Sequence, residues 1–314
     1  MTEEDERFQL AARSARRLIA QCVAHVERVT PKLGDRAAAA AASTPHGIDT
    51  ERVLRGEHRV AFKALIELVE AKTNALVTLL AGLKLLLGND TFLPLPAFAV
   101  TRSVAEVAAN CAWLIHPGLT SDQRAARSYA ATIYAAQRNL AAALPQDVLA
   151  MRSHLDDLIH TLGRPGSGVR LENRMKDGVR LDDIAQVIVV GPTRERARAK
   201  VEFNYSQRVR DEIPRAAGLY STLSAAVHGE HVSVAASWNV PDAFARTIAH
   251  VAAESTVSWS RAVHDWVGAQ VGPFLNEFDR RNVILSMPKT KRDEFAAKLA
   301  GSPERGGPED FLAR

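Results

Sequence analysis

The sequence holds two cysteines in 314 residues, Cys22 and Cys111. Each stands inside an apolar helical pattern with no Cys or His partner at metal-ligand spacing, so both are expected as small core side chains. Long apolar runs are missing too. The most apolar stretch, Ala75 to Leu87, is shorter than the roughly 20 residues a membrane-spanning helix needs, and Lys84 interrupts it. A core helix is the expectation, and no membrane partner. The start, Met1-Thr-Glu-Glu-Asp-Glu-Arg, is acidic and lacks the basic and apolar regions of an export signal, which points to a cytoplasmic protein. Neither a P-loop nor a Gly-x-Gly-x-x-Gly turn occurs, so any phosphate binding falls to arginine. No His-Glu-x-x-His and no Glu-x-x-His occurs, which leaves His228-Gly-Glu-His231 as the nearest histidine cluster; no metal and no cofactor are expected. The absence of a Gly-x-Ser-x-Gly elbow argues against a serine hydrolase.

What is present describes a folded helical chain. Hydrophobic residues make up 46% and charged residues 24%, the composition of a packed globular protein and not of a disordered one. Apolar positions from Phe8 to Val26 recur at helical spacing, predicting a first helix over Glu3 to Val29 that Thr30-Pro31 stops. The alanine run 37–42 predicts a short, weakly packed helix, and Ser43 to Gly47 a turn. Asp49 or Thr50 then caps a long second helix reaching Leu87, locally loosened at Gly56 and Gly82. Further helices are predicted over 97–115, 122–143 and 146–162, with His116-Pro117-Gly118 ending the first of them and Pro145 opening the last. From Thr193 the pattern reads as helical to Arg210, from Pro214 to Val227, and from Pro241 to Phe278.

Between these sets the chain changes character. Gly163 to Gly168 reads as a linker, Arg170 to Arg180 is polar and basic, and Val187-Ile-Val-Val is compatible with a strand or a short helix, with no clear strand partner elsewhere. Basic and acidic residues total 40 and 36, and the stretch Arg164 to Arg215, with twelve basic and eight acidic residues, carries the whole surplus. Either it is a solvated face with internal ion pairs or it meets an anion. The fold class these segments predict is all-α, an antiparallel multi-helix bundle with a central basic, partly irregular insertion. One helical domain spans 1–301, as an N-terminal helix set (about 1–162), a linker or insertion (about 163–192) and a C-terminal set (about 193–301). A flexible tail follows over 302–314.

Two polar stripes mark candidate functional residues. Tyr220, Ser224 and His228 lie four apart, forming a hydroxyl, hydroxyl, imidazole line that ends at a helix terminus beside His231. Arg102, Glu106, Asn110 and Trp113 share one face of the 97–115 helix. If that face is buried, its charges must find partners. Were the stripes to meet, Glu106 would orient His228 and Arg102 would hold an anionic group; packing of each stripe as satisfied structural groups is the competing account.

Arg102-Ser-x-x-Glu106 with Trp113, followed by Tyr220-x-x-x-Ser224-x-x-x-His228-Gly229, resembles a pattern in uncharacterised bacterial helical proteins, some loosely related to the HEPN superfamily. The resemblance covers about two dozen residues on two helices. HEPN ribonucleases use an arginine, a polar residue and a histidine within Arg-x(4–6)-His to cleave RNA, usually as homodimers, in toxin or antiviral systems. Arg246-x-x-x-His250 and Arg261-x-x-His264 both fall short of that spacing, so the catalytic roles do not carry over. The resemblance implies a helical binding protein, in stress or phage defence, recognising an anionic ligand or RNA through a polar inter-helix pocket or the basic segment. Arg102, Glu106 and His228 are its candidate catalytic residues should it be a metal-independent ribonuclease instead. Tyr220, Ser224, Asn110, Trp113 and His231 are candidates for binding. A purely structural dimer of long helices is the third reading.

Overall fold

The computed structural model describes residues 3–38, 42–88, 94–177, 179–191, 195–228, 241–269 and 275. Their order is α1 (Glu3–Ala38), α2 (Pro45–Leu54), α3 (Arg59–Leu86), α4 (Pro94–Leu114), α5 (Ser121–Ala141), α6 (Val148–Leu162), strands β1 (Val169–Lys176), β2 (Val179–Val190) and β3 (Arg196–Lys200), then α7 (Tyr205–Glu212), α8 (Ala217–Val227) and α9 (Pro241–Val267). The tail over 302–314 and His231 lie outside the described residues. Among those residues no helix is long and apolar enough to cross a membrane.

Helix α4 is the hub. It packs against α3, α7, α8 and α9, while α1 lies along α9 and α3. Ala97, Ala105, Ala108 and Cys111 are fully buried along it, and such small side chains let neighbouring helices approach closely enough to share one core. Cys22 and Cys111 are both buried free thiols, and burial pushes each up to about 12. A thiol so held is packing material and not a nucleophile.

Local chemistry explains the element boundaries. Thr44 caps α2 by accepting from the Gly47 N–H at 3.0 Å, which frees Asp49 for another partner. Thr120 and Gln123 form a reciprocal capping box on α5, satisfying two backbone donors that a helix start leaves open. The single long helix expected from 49 to 87 is two helices. Gly56, at φ 80°, and His58, at φ 46°, turn the chain between α2 and α3, a left-handed path that favours glycine at the first position. Conversely, α1 runs through Pro31 to Ala38. The proline withholds one backbone donor without ending the helix.

The largest correction concerns the centre of the chain. Among the described residues the fold is mainly helical, 72%, but not all-α: β1, β2 and β3 form one antiparallel sheet in that order. The boundary expected near 192 therefore falls between β2 and β3, and residues 196–200, expected in a helix, are a strand. Side chains alternate across a strand, and the register pairs Val169 with Val189, Leu171 with Val187, and Ala197 and Ala199 with Val189 and Val187. These apolar positions form the inner face and join the core, with β2 and β3 laid on α5. Sheet and helices thus share one core.

Candidate functional site

The two polar stripes meet. Helix α8 docks on α4, and Arg102 Nε donates to Glu106 Oε1 at 2.8 Å while the Tyr220 hydroxyl donates to the same oxygen at 2.7 Å. Arg102 Nη1 stands 3.1 Å from His228 Nε2. A guanidinium has no acceptor, so the imidazole nitrogen accepts, which leaves the neutral ring's proton on Nδ1. Burial, and then the carboxylate it donates to, pushes the Tyr220 phenol up to about 12. Burial also weighs against the charged Arg102, but its hydrogen bonds and the charge of Glu106 outweigh this and hold it above its ordinary value. Both groups thus keep their protons through the physiological range, and the network reads as imidazole, guanidinium, carboxylate and phenol in series.

Not every stripe residue joins it. Ser224 is half-buried and makes no side-chain hydrogen bond to a described residue; only its carbonyl is used, accepting from the His228 N–H at 3.1 Å. The lower half of the α4 stripe serves α7. Asn110 accepts from Arg208 Nη1, and the Arg208 guanidinium lies 3.7 Å from the Trp113 ring centre and 3.5 Å from that of Phe203. Cation–π contacts of this desolvated kind contribute about 2 kcal/mol. Burial, and then the nearby Arg127, lowers Arg208 to about 10. Asn110 and Trp113 therefore hold α7 in place and are spent on that packing. Arg208 and Phe203 carried no sequence signal, because their partners lie about 100 residues away and their own segment reads as an ordinary polar helix.

What the upper network offers solvent is narrow. Arg102 and Glu106 neutralise one another, and the exposed group is His228 at the end of α8. Its Nδ1–H has no described hydrogen-bond partner, so it can donate to something arriving from outside.

A second candidate lies on the sheet. The outer face carries the residues between the apolar ones: Arg196, Arg198 and Lys200 on β3, all exposed, and Arg170 and Glu172 on β1. Arg170 and Arg198 both pair with Ile188, one on each side, and their aliphatic stems flank it while the charged ends reach solvent. Along β3 the basic positions recur every two residues, about 6.8 Å. Glu172, 3.7 Å from Arg170, is the acid among these paired positions. Toward the far end of the hairpin Asp177, Asp182 and Asp183 mix with Arg174, Lys176 and Arg180, so the basic excess is concentrated at the β3 side. No aromatic ring stands on this paired face.

No family model, no curated protein and no solved structure matches the chain.

Proposed function

We propose that this is a binding protein for a polyanion, RNA in the first instance, engaged by the outer face of the sheet. The observation that carries the reading is the row Arg196, Arg198 and Lys200 with Arg170 beside it, held on a rigid strand whose alternate residues are anchored in the core. Phosphate oxygens are the natural partners of such a row, arginine offering two parallel donors to each. Without an aromatic platform the contact is with the sugar-phosphate backbone, which binds without regard to base sequence and weakens steeply with salt. The Arg102–Glu106–Tyr220–His228 network then fastens α8 to α4.

Replacing Arg196, Arg198 and Lys200 together by Gln tests the reading. Their side chains point away from the core, so the fold stays intact. Affinity for a homopolymeric RNA oligonucleotide, read by fluorescence anisotropy, is expected to fall on the order of 100-fold at low salt. An unchanged affinity, or RNA binding that depends strongly on base sequence, contradicts it.

The exposed imidazole of His228 favours a second reading, a metal-independent ribonuclease in which His228, with its Nε2 lone pair released from Arg102, takes the proton of the 2′-hydroxyl, and Arg102 stands by the scissile phosphate. Its weakness is that Glu106 already neutralises Arg102. On this reading total RNA is degraded by the protein and spared by His228→Ala; equal RNA integrity in the two samples removes it.

A further inference from the structure

Just past the basic row the chain enters a stack of rings. Phe203 follows Lys200, the last residue of β3, by three positions, at most about 11 Å of extended chain. The Arg208 guanidinium carbon lies 3.5 Å from the Phe203 ring centre. The Tyr134 ring centre lies 4.1 Å from it, at an interplanar angle of 25°. Groups that close each lie over a face of the ring, and the same face does not hold both. Phe203 is therefore sandwiched. With Trp113 3.7 Å from the same guanidinium, the order is Trp113, Arg208, Phe203, Tyr134.

Tyr134 ends the stack. Phe203 covers one of its faces, and among the described residues no second ring and no guanidinium lies on the other. The residue is half-buried, so the stack reaches solvent there. Tyr205 stands to the side, tilted by 52° against Phe203 at 6.2 Å. Arg138, one helical turn further along α5, shares Tyr134's side of the helix; it is exposed and pairs with no described carboxylate. Glu202, the acid between Lys200 and Phe203, faces Arg174 at 3.9 Å. The approach from the row to Tyr134 is thus basic and ends on an aromatic ring, the combination that holds single-stranded nucleic acid. We propose that Tyr134 is a stacking platform for one unpaired base of the RNA whose backbone lies on Arg196, Arg198 and Lys200, which makes the ligand single-stranded. The inference rests on the polyanion reading and adds one base contact to it. Every base has a π-face, so this contact leaves binding indifferent to sequence. Within a duplex the bases are stacked and paired already, and the ring finds none to take.

Two oligonucleotides of equal length separate base from backbone: a homopolymeric RNA, and an abasic strand with the same phosphates. By fluorescence anisotropy the wild type is expected to hold the first about 10-fold more tightly, as one stacked base allows. Tyr134→Leu, which keeps an apolar side chain against Phe203, is expected to lose that difference while its affinity for the abasic strand stays unchanged. Tyr134→Phe keeps the difference. Photo-crosslinking of a thiouridine strand to the wild type needs no variant, and modification of Tyr134 is expected; modification only at other residues counts against the platform. Equal affinity of the wild type for the two strands, or a difference that folded Tyr134→Leu retains, overturns the proposal, while binding of the abasic strand still upholds the polyanion reading. Failure of the wild type to bind either strand overturns both.

Discussion

Arg124→Ala is expected to cost about 3–5 kcal/mol of stability, a large share of the 5–15 kcal/mol typical of a folded protein. Arg124 and Asp49 are 2% and 3% exposed. The guanidinium grips the carboxylate with two hydrogen bonds, Nε to Oδ2 at 2.6 Å and Nη2 to Oδ1 at 2.7 Å. It also donates to the carbonyls of Leu119 and Pro45. The carboxylate in turn accepts from Ser121 Oγ at 2.6 Å and Trp266 Nε1 at 3.3 Å. One ion pair thus ties α2, α5 and α9 together. Removing the arginine strands a buried carboxylate and leaves two half-buried carbonyls without their donor, which costs more than the pair itself contributes. For the same reason the double variant Asp49→Leu/Arg124→Met is expected to be less destabilised than the two single losses added together. Urea unfolding of the three variants checks this; a loss below about 1 kcal/mol for Arg124→Ala is incompatible with a closed network.

Acid is expected to destabilise the fold by about 3 kcal/mol through His25 alone. His25 is buried where α1 meets α9, with Nε2 2.8 Å from Ser260 Oγ and its ring stacked on His264 at 6.4 Å. Burial, then the nearby His264 and Arg28, lowers its pKa from 6.5 to about 4. On acidification the unfolded chain therefore takes the proton first. The contribution is whole above about pH 6.5 and is lost progressively as pH falls to about 4. Burial lowers His46 and His58 as well, adding in the same sense. Glu212 opposes them, since a carboxyl held above its ordinary value is protonated in the folded state before the unfolded one and so gains stability on acidification. Urea midpoints measured from pH 7 to pH 4 should drop for the wild type and flatten for His25→Leu. Parallel profiles for the two proteins would show that His25 stays accessible to protons in the fold.

Helix α4 shows what a sequence can and cannot convey. Arg102, Glu106, Asn110 and Trp113 stand out because helical spacing alone puts them on one face, and the structure finds that face facing two helices. The split between them was hidden. Whether Asn110 turns toward α8 or α7 depends on Arg208, and nothing near either residue records the pairing. Asp49 was legible only as a carboxylate near a helix start, where capping is the local use; its actual partner, Arg124, lies 75 positions on. The sheet was missed for a different reason. Its β3 inner positions are Ala197 and Ala199, small residues with no strand preference, chosen because the strand lies close on α5, and its outer positions are charged. Only Val187 to Val190 carries a β-branched signal, and a strand without visible partners reads equally well as a helix.

The slope of binding against salt goes to the heart of the functional account. Four basic side chains on the phosphates of a single strand give log K a slope of about −3 against log salt concentration, and neutralising three of them leaves a slope of about −1. The account predicts that Arg196→Gln/Arg198→Gln/Lys200→Gln moves the slope for an RNA oligonucleotide between these values. A shallow slope in the wild type, or the same slope in both proteins, would mean that the outer face of the sheet does not carry the polyanion.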